Sequence, residues 1–260
     1  MTRFETCFSQ TGKKKLAIYF TAGFPELNST VPIAKMVQDA GADIIEIGMP
    51  FSDPLADGPV IQASSGVALD NGMKLTVLFE QLKELRKSVT IPVVLMGYIN
   101  PVLRYGRTRF LDACQEVGVD GLILPDVPLE EFENEWKPLM DERGLTMTFL
   151  VTPETTDERV RRIDSLSTGF LYLVSSSSTT GGANEVQLNI DAYTQRISSL
   201  SLKNPLMVGF GISNADNFLS ATKFTDGAIV GSAFIKELTK NGMSQNSISD
   251  FIRSINGACN

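Results

Sequence analysis

Glu46 lies in Ala42-Asp43-Ile44-Ile45-Glu46-Ile47-Gly48, a run whose β-branched residues read as a strand with one carboxylate among isoleucines near its C-terminal end. Side chains alternate along a strand, so Glu46 points with Ile44 and Gly48 while Ile45 and Ile47 point the other way. If the isoleucine face packs on helices, Glu46 faces inward. A carboxyl group partly removed from water there has a raised pKa, as an acid–base catalyst needs. A structural glutamate paired with a lysine or arginine inside the fold satisfies the same pattern. The chain continues into Met49-Pro50-Phe51-Ser52-Asp53-Pro54-Leu55-Ala56-Asp57-Gly58-Pro59, where two acids and three prolines make a stiff polar loop able to hold Asp53 and Asp57 over a site. Asp57-Gly58-Pro59 also reads as an N-cap before a helix that begins with proline.

Two further stretches suit an anionic ligand. Phe170-Leu171-Tyr172-Leu173-Val174 opens into Ser175-Ser176-Ser177-Ser178-Thr179-Thr180-Gly181-Gly182, a donor-rich segment that reads either as a lid or as a plain surface loop. Gly209-Phe210-Gly211-Ile212-Ser213 and Gly231-Ser232-Ala233 are glycine turns where backbone can approach a phosphate closely, or ordinary strand-to-helix turns. The chain has no histidine. That removes the commonest general acid–base, the histidine-dependent nucleophiles and the usual ligand of catalytic zinc, so proton transfer must fall to carboxylates, tyrosine, lysine or water.

Eight short β-branched runs must carry these residues: 16–21, 43–47, 92–96, 118–124, 146–151, 170–174, 205–208 and 227–230. Between them the spacing predicts helices at 27–40, 59–70 with 74–88, 103–117, 129–143, 156–166, 189–200, 213–222 and 232–254. Strand alternating with helix eight times points to a parallel sheet closed into a (β/α)8 TIM barrel, whose chemistry sits on the loops after the strands. No linker divides the chain, so residues 1–260 are expected to form one catalytic domain.

The bulk properties narrow the partners. With 23 basic and 30 acidic residues the net charge is −7, which disfavours nucleic acid but leaves a small phosphorylated ligand open. Cys7, Cys114 and Cys259 are too few and too scattered for a disulfide framework or a metal cluster. With no signal-type N-terminus and no long apolar run, a cytoplasmic protein without a membrane span is expected.

The segment 46–59 resembles, nearly residue for residue, the signature of tryptophan synthase alpha chains. The similarity extends to Phe20-Thr21-Ala22-Gly23, Met96-Gly97-Tyr98-Ile99-Asn100-Pro101, Asp126-Val127-Pro128 and both glycine turns. It implies aldol cleavage of indole-3-glycerol phosphate to indole and glyceraldehyde 3-phosphate, with neither metal nor organic cofactor. By the resemblance Glu46 is the acid–base, Asp57 stabilises the indole N–H, and Tyr172 orients Glu46. Gly181, Gly211, Gly231 and Ser232 would hold phosphate, Phe20, Ile61, Tyr98 and Phe210 would wall an aromatic slot, and the lid, through its threonine Thr180, would close on the Asp53 loop. Where many members carry a lid arginine and Gly-Val-Thr-Gly, this chain has Ser176 and Ser178-Thr179-Thr180-Gly181. The resemblance further implies docking on a beta chain, two of each, through loops 49–59, 98–104 and 125–131. Two other readings remain: another phosphosugar lyase or isomerase on the same barrel, and a weakly active or non-catalytic subunit that mainly activates a beta chain.

Overall fold

Runs of valine, isoleucine and leucine buried on both faces form the strands, as a sheet covered by helices requires. The computed structural model of the chain describes residues 1–10, 12–54, 57–174, 183–209 and 211–257, with only the backbone of 183–189. The strands are β1 Lys15–Thr21, β2 Ile44–Gly48, β3 Val93–Met96, β4 Gly121–Ile123, β5 Thr146–Thr148, β6 Leu150–Val151, β7 Leu171–Val174, β8 Leu206–Gly209 and β9 Gly227–Val230. Every pairing is parallel, in the order β5-β4-β3-β2-β1-β9-β8-β7-β6.

The two ends of that order are neighbours in sequence. β5 and β6 form the expected 146–151 strand, interrupted at Phe149, whose ring packs edge-on against Phe132 at 5.0 Å. β5 pairs with β4, β6 pairs with β7, and the N–H groups of Thr168 and Tyr172 donate to the carbonyls of Met147 (3.1 Å) and Phe149 (3.0 Å). The sheet therefore meets itself as a (β/α)8 barrel with one broken stave.

The helices are α1 Arg3–Ser9, α2 Thr30–Asp39, α3 Pro59–Asp70, α4 Leu75–Leu82, α5 Ile99–Tyr105, α6 Arg107–Glu116, α7 Leu129–Glu131, α8 Lys137–Asp141, α9 Asp157–Leu166, α10 Ala183–Ser198, α11 Ala215–Ala221, α12 Ser232–Asn241 and α13 Gln245–Asn256. A π-helical turn, Phe132–Trp136, joins α7 to α8. Two predicted helices are each split by a glycine: Gly106 (φ +99°) parts α5 from α6, and Gly242 (φ +65°) follows α12. A positive φ ends a right-handed helix even where the apolar spacing continues beyond it. Helix α1 was not foreseen. Thr2 and Glu5 form a reciprocal capping box, and Phe4 is buried against Phe170 with ring centroids 6.0 Å apart.

At the N-terminal end of the barrel one device recurs. Asp43, Asp120 and Asp226 accept hydrogen bonds from the backbone N–H groups of Leu16 (3.0 Å), Val93 (2.7 Å) and Leu206 (2.7 Å) on neighbouring strands. Asp120 also receives Arg86 and, at 2.9 Å, Arg3. Asp120→Ala leaves a largely buried guanidinium and a strand N–H without their acceptor, and is expected to cost about 3 kcal/mol of stability. Denaturant titration checks this. A midpoint unchanged from wild type would show that the clamp does not hold the barrel.

Candidate active site

The parity expected for β2 holds: Ile45 and Ile47 are fully buried, and Glu46 lines a cavity of about 970 Å³ at the C-terminal mouth. Glu46 is 1% exposed, and among the described residues neither carboxyl oxygen has a hydrogen-bond partner or an ion pair. The alternative of a glutamate balanced by lysine or arginine therefore fails. Burial, and secondarily the charge of Asp57, push the Glu46 carboxyl up to about 8. An isolated ionised carboxylate is costly in such surroundings, so the group keeps its proton near neutrality.

Asp57 does not cap the helix after it. Gly58 is the N-cap of α3, Pro59 occupies the first turn, and among the described residues no side-chain hydrogen bond caps that helix end. Pro54 and Gln62 hold the loop instead through the Asp57 backbone: its N–H donates to Pro54 O at 3.0 Å, and its carbonyl accepts from Gln62 Nε2 at 2.8 Å. The Asp57 side chain is left to the cavity. Its pKa is raised by burial, with a hydrogen bond from Tyr98 acting against the rise. Tyr98 leans on Phe51 at 5.3 Å, and the α5 backbone that follows it is tied down because the Ile99 N–H donates to both oxygens of Asp126 at 3.0 Å. The charge of Asp57 raises Glu46, so Asp57 ionises first. One carboxyl group is then a proton donor and its neighbour an acceptor, the division of labour that acid–base catalysis requires.

Two tyrosines enclose the pair by the same geometry. Tyr19 is paired in register with Glu46, and its hydroxyl lies where a side chain on Gly48 would begin, 2.2 Å from an ideal Cβ. Tyr172 lies likewise over Gly209 on the adjacent strand, its ring 2.6 Å from the ideal Cβ. Any side chain at either glycine would expel a tyrosine from the mouth. Burial, with the carboxylates adding to it, pushes both phenols up, so they remain neutral hydroxyls. Tyr172 faces the cavity, but its hydroxyl is not bonded to Glu46.

Ile61, Tyr98, Gly211, Gly231 and Ser232 also line the cavity. Asp53 is exposed, does not line it, and is hydrogen-bonded by Ser52. Thr180, Gly181 and Phe210 lie outside the described residues. Phe20 is a correction: it is fully buried outside the cavity, against Phe234 at 6.5 Å, and Tyr19 takes the wall position. The alternation that placed Glu46 inward applies equally to β1, where Leu16, Ile18 and Phe20 are the wholly apolar face, so Tyr19 could have been found. Lys236 on α12 also lines the cavity and was not anticipated; its signal is the spacing of four from Ser232.

Fold and site together define a TIM barrel whose mouth is equipped for acid–base chemistry. The chain matches the family model described as Tryptophan synthase alpha chain over residues 4–257. The tryptophan synthase alpha chain of Flavobacterium psychrophilum is 54% identical over 249 residues, 95% of this chain and 96% of the relative. That of Flavobacterium johnsoniae is 52% identical over 246 residues, with coverage of 95% and 96%. The crystal structure of the alpha subunit from Legionella pneumophila superposes with a TM-score of 0.89 at 34% identity, covering 100% of this chain and 98% of that one. The chain belongs to the tryptophan synthase alpha chain family, which places it in tryptophan biosynthesis.

Proposed function

We propose that the chain is a lyase that cleaves indole-3-glycerol phosphate into indole and glyceraldehyde 3-phosphate. The observation that carries this reading is a buried Glu46, without a hydrogen-bond partner among the described residues, that holds its proton near neutrality beside an Asp57 that ionises first. The bond from indole C3 to the glycerol chain breaks only when C3 is protonated and the ring becomes an electron sink. Glu46 gives that proton to C3. The adjacent glycerol hydroxyl loses its proton as the carbon–carbon bond breaks; the oxygen keeps its electrons as an aldehyde, and the bond pair returns to the ring. One proton enters and one leaves, so a single carboxyl group with a pKa near neutrality serves both steps.

Asp57 accepts the indole N–H and stabilises the positive charge that spreads over the protonated ring. The glycine turns at Gly211 and Gly231 and the first turn of α12 suit the phosphate, because backbone N–H groups and the helix dipole favour an anion there. The acid pair of Glu46 and Asp57, set in the full 46–59 motif, favours this reading over both another phosphosugar enzyme and a non-catalytic subunit.

The family further supports a beta chain as partner, seated on the rim of the barrel. Leu103 on α5 is an exposed apolar residue there, and Asp126 ties the 125–131 loop to the same helix. The test measures indole release by the purified chain while a beta chain is titrated in, alongside a Pro128→Asp variant. Pro128 is exposed at the N-cap of α7, where aspartate is a good cap, so the substitution spares the fold. Release is expected to be slow alone and to rise about tenfold or more on docking. Pro128→Asp should blunt the rise. No indole from either preparation would sink the lyase reading, and full activation of the variant would sink the proposed face.

A further inference from the structure

Among the described residues, three cavity-lining side chains carry an acid or an ammonium group: Glu46 and Asp57 over β2, and Lys236 on the second turn of α12. The acids and α12 lie on different sides of β1, since β1 pairs with β2 on one edge and with β9, which leads into α12, on the other. Lys236 follows Ser232 by four residues, and long side chains on a helix lean back toward its N-terminus. The ammonium is thus carried toward Gly231 and Ser232, where the N-cap is a glycine with no side chain to occupy the helix end. Lys236 is exposed and belongs to no ion pair among the described residues. The neighbouring acid, Glu237, is already engaged by Ser247 and Asn241. In a chain of net charge −7, an unengaged cation lining a cavity is placed to meet an anion that enters it.

Resting on the lyase reading above, we propose that Lys236 is a specificity-determining residue for the phosphate end of the substrate, supplying a side-chain charge that complements the dianion over the α12 turn. Backbone N–H groups hold any small anion. The ammonium adds a term that grows with ligand charge, and so separates a doubly charged phosphate monoester from singly charged or neutral analogues. Lys236 acts on binding and takes no part in moving protons.

The experiment titrates glycerol 3-phosphate and, separately, indole into wild type, Lys236→Met and Lys236→Arg by calorimetry at low and high salt. Methionine keeps the apolar stem and helix propensity. Glycerol 3-phosphate is expected to bind Lys236→Met about fivefold to tenfold more weakly, the size of one partly solvated charge-assisted contact. Arginine should recover most of the loss, indole affinity should be unmoved, and the salt dependence should flatten in the methionine variant. In turnover assays KM for the phosphorylated substrate should rise by the same factor, with kcat within about threefold. Unchanged affinity for glycerol 3-phosphate, or equal loss for both ligands, would overturn the proposal. The lyase reading fails by a different result, a wild-type chain that releases no indole, which leaves the calorimetric comparison intact.

Discussion

Glu46→Gln is expected to abolish indole release and at the same time to stabilise the protein at neutral and higher pH. Glutamine keeps the shape of the side chain but cannot give up a proton to indole C3, so turnover should fall by at least about three orders of magnitude. The stability effect follows from linkage. In the folded chain burial, with the Asp57 charge second, holds the Glu46 carboxyl near 8, whereas in the unfolded chain it returns to its ordinary range near 4.5. Between those values the unfolded state has released a proton that the folded state retains, so stability falls as pH rises and the loss is complete above about 8. Each pH unit of the interval is worth roughly 1.4 kcal/mol, so the penalty removed by glutamine at pH 7 is on the order of 3 kcal/mol. Denaturant unfolding of both proteins at pH 5 and pH 8 checks the sign. The variant should gain little at the lower pH and most at the higher. Equal stability at both would mean that Glu46 is not held protonated, and turnover within tenfold of wild type would remove it from the proton-transfer step.

The wild-type pH profile should then carry its basic limb near 8, where the acid form of Glu46 is lost. The acidic limb should lie above the ordinary aspartate range, because burial raises Asp57. These limbs report a free-enzyme property when read from kcat/KM.

What the sequence made legible follows the range of the interactions involved. Alternation along a single strand is local, so the inward Glu46, the apolar outer face at Ile45 and Ile47, and Gly48 beside them could be read directly from residues 44–48. The same rule held for β1, where attention to the Phe20-Thr21-Ala22-Gly23 match placed the aromatic wall one residue late and missed Tyr19. The release of Asp57 from capping was not legible, because it depends on Gln62 holding the loop by its backbone from the next helix. The split at Gly106 was hidden for a different reason: the amphipathic spacing of α5 runs on into α6, and only the positive φ shows that the chain turns. The broken fifth stave is a change of hydrogen-bonding partner at Phe149. No residue type announces such a change.

Asp57→Asn is expected to lower kcat by about two orders of magnitude, in line with the roughly 3 kcal/mol carried by one group aimed at developing charge. Asparagine still accepts a hydrogen bond from an indole N–H, so KM should move by less than about threefold; the loss belongs to the transition state, where the ring is positive and only a carboxylate answers it. The substitution also removes the second cause of the high Glu46 pKa, the charge of Asp57, while leaving the first, burial, in place. The basic limb of the pH profile should therefore shift below 8 without returning to the ordinary carboxylate range. Tyr98→Phe moves the other limb. It deletes the hydrogen bond that opposes the rise of the Asp57 pKa, so the acidic limb should climb to higher pH, with a smaller loss of rate because the carboxylate itself remains. Steady-state kinetics across pH on the three proteins reads all of these quantities at once. A rise in KM with kcat preserved would make Asp57 a binding group only, and a basic limb that stays at 8 in Asp57→Asn would show that the two carboxyl groups do not act as a pair.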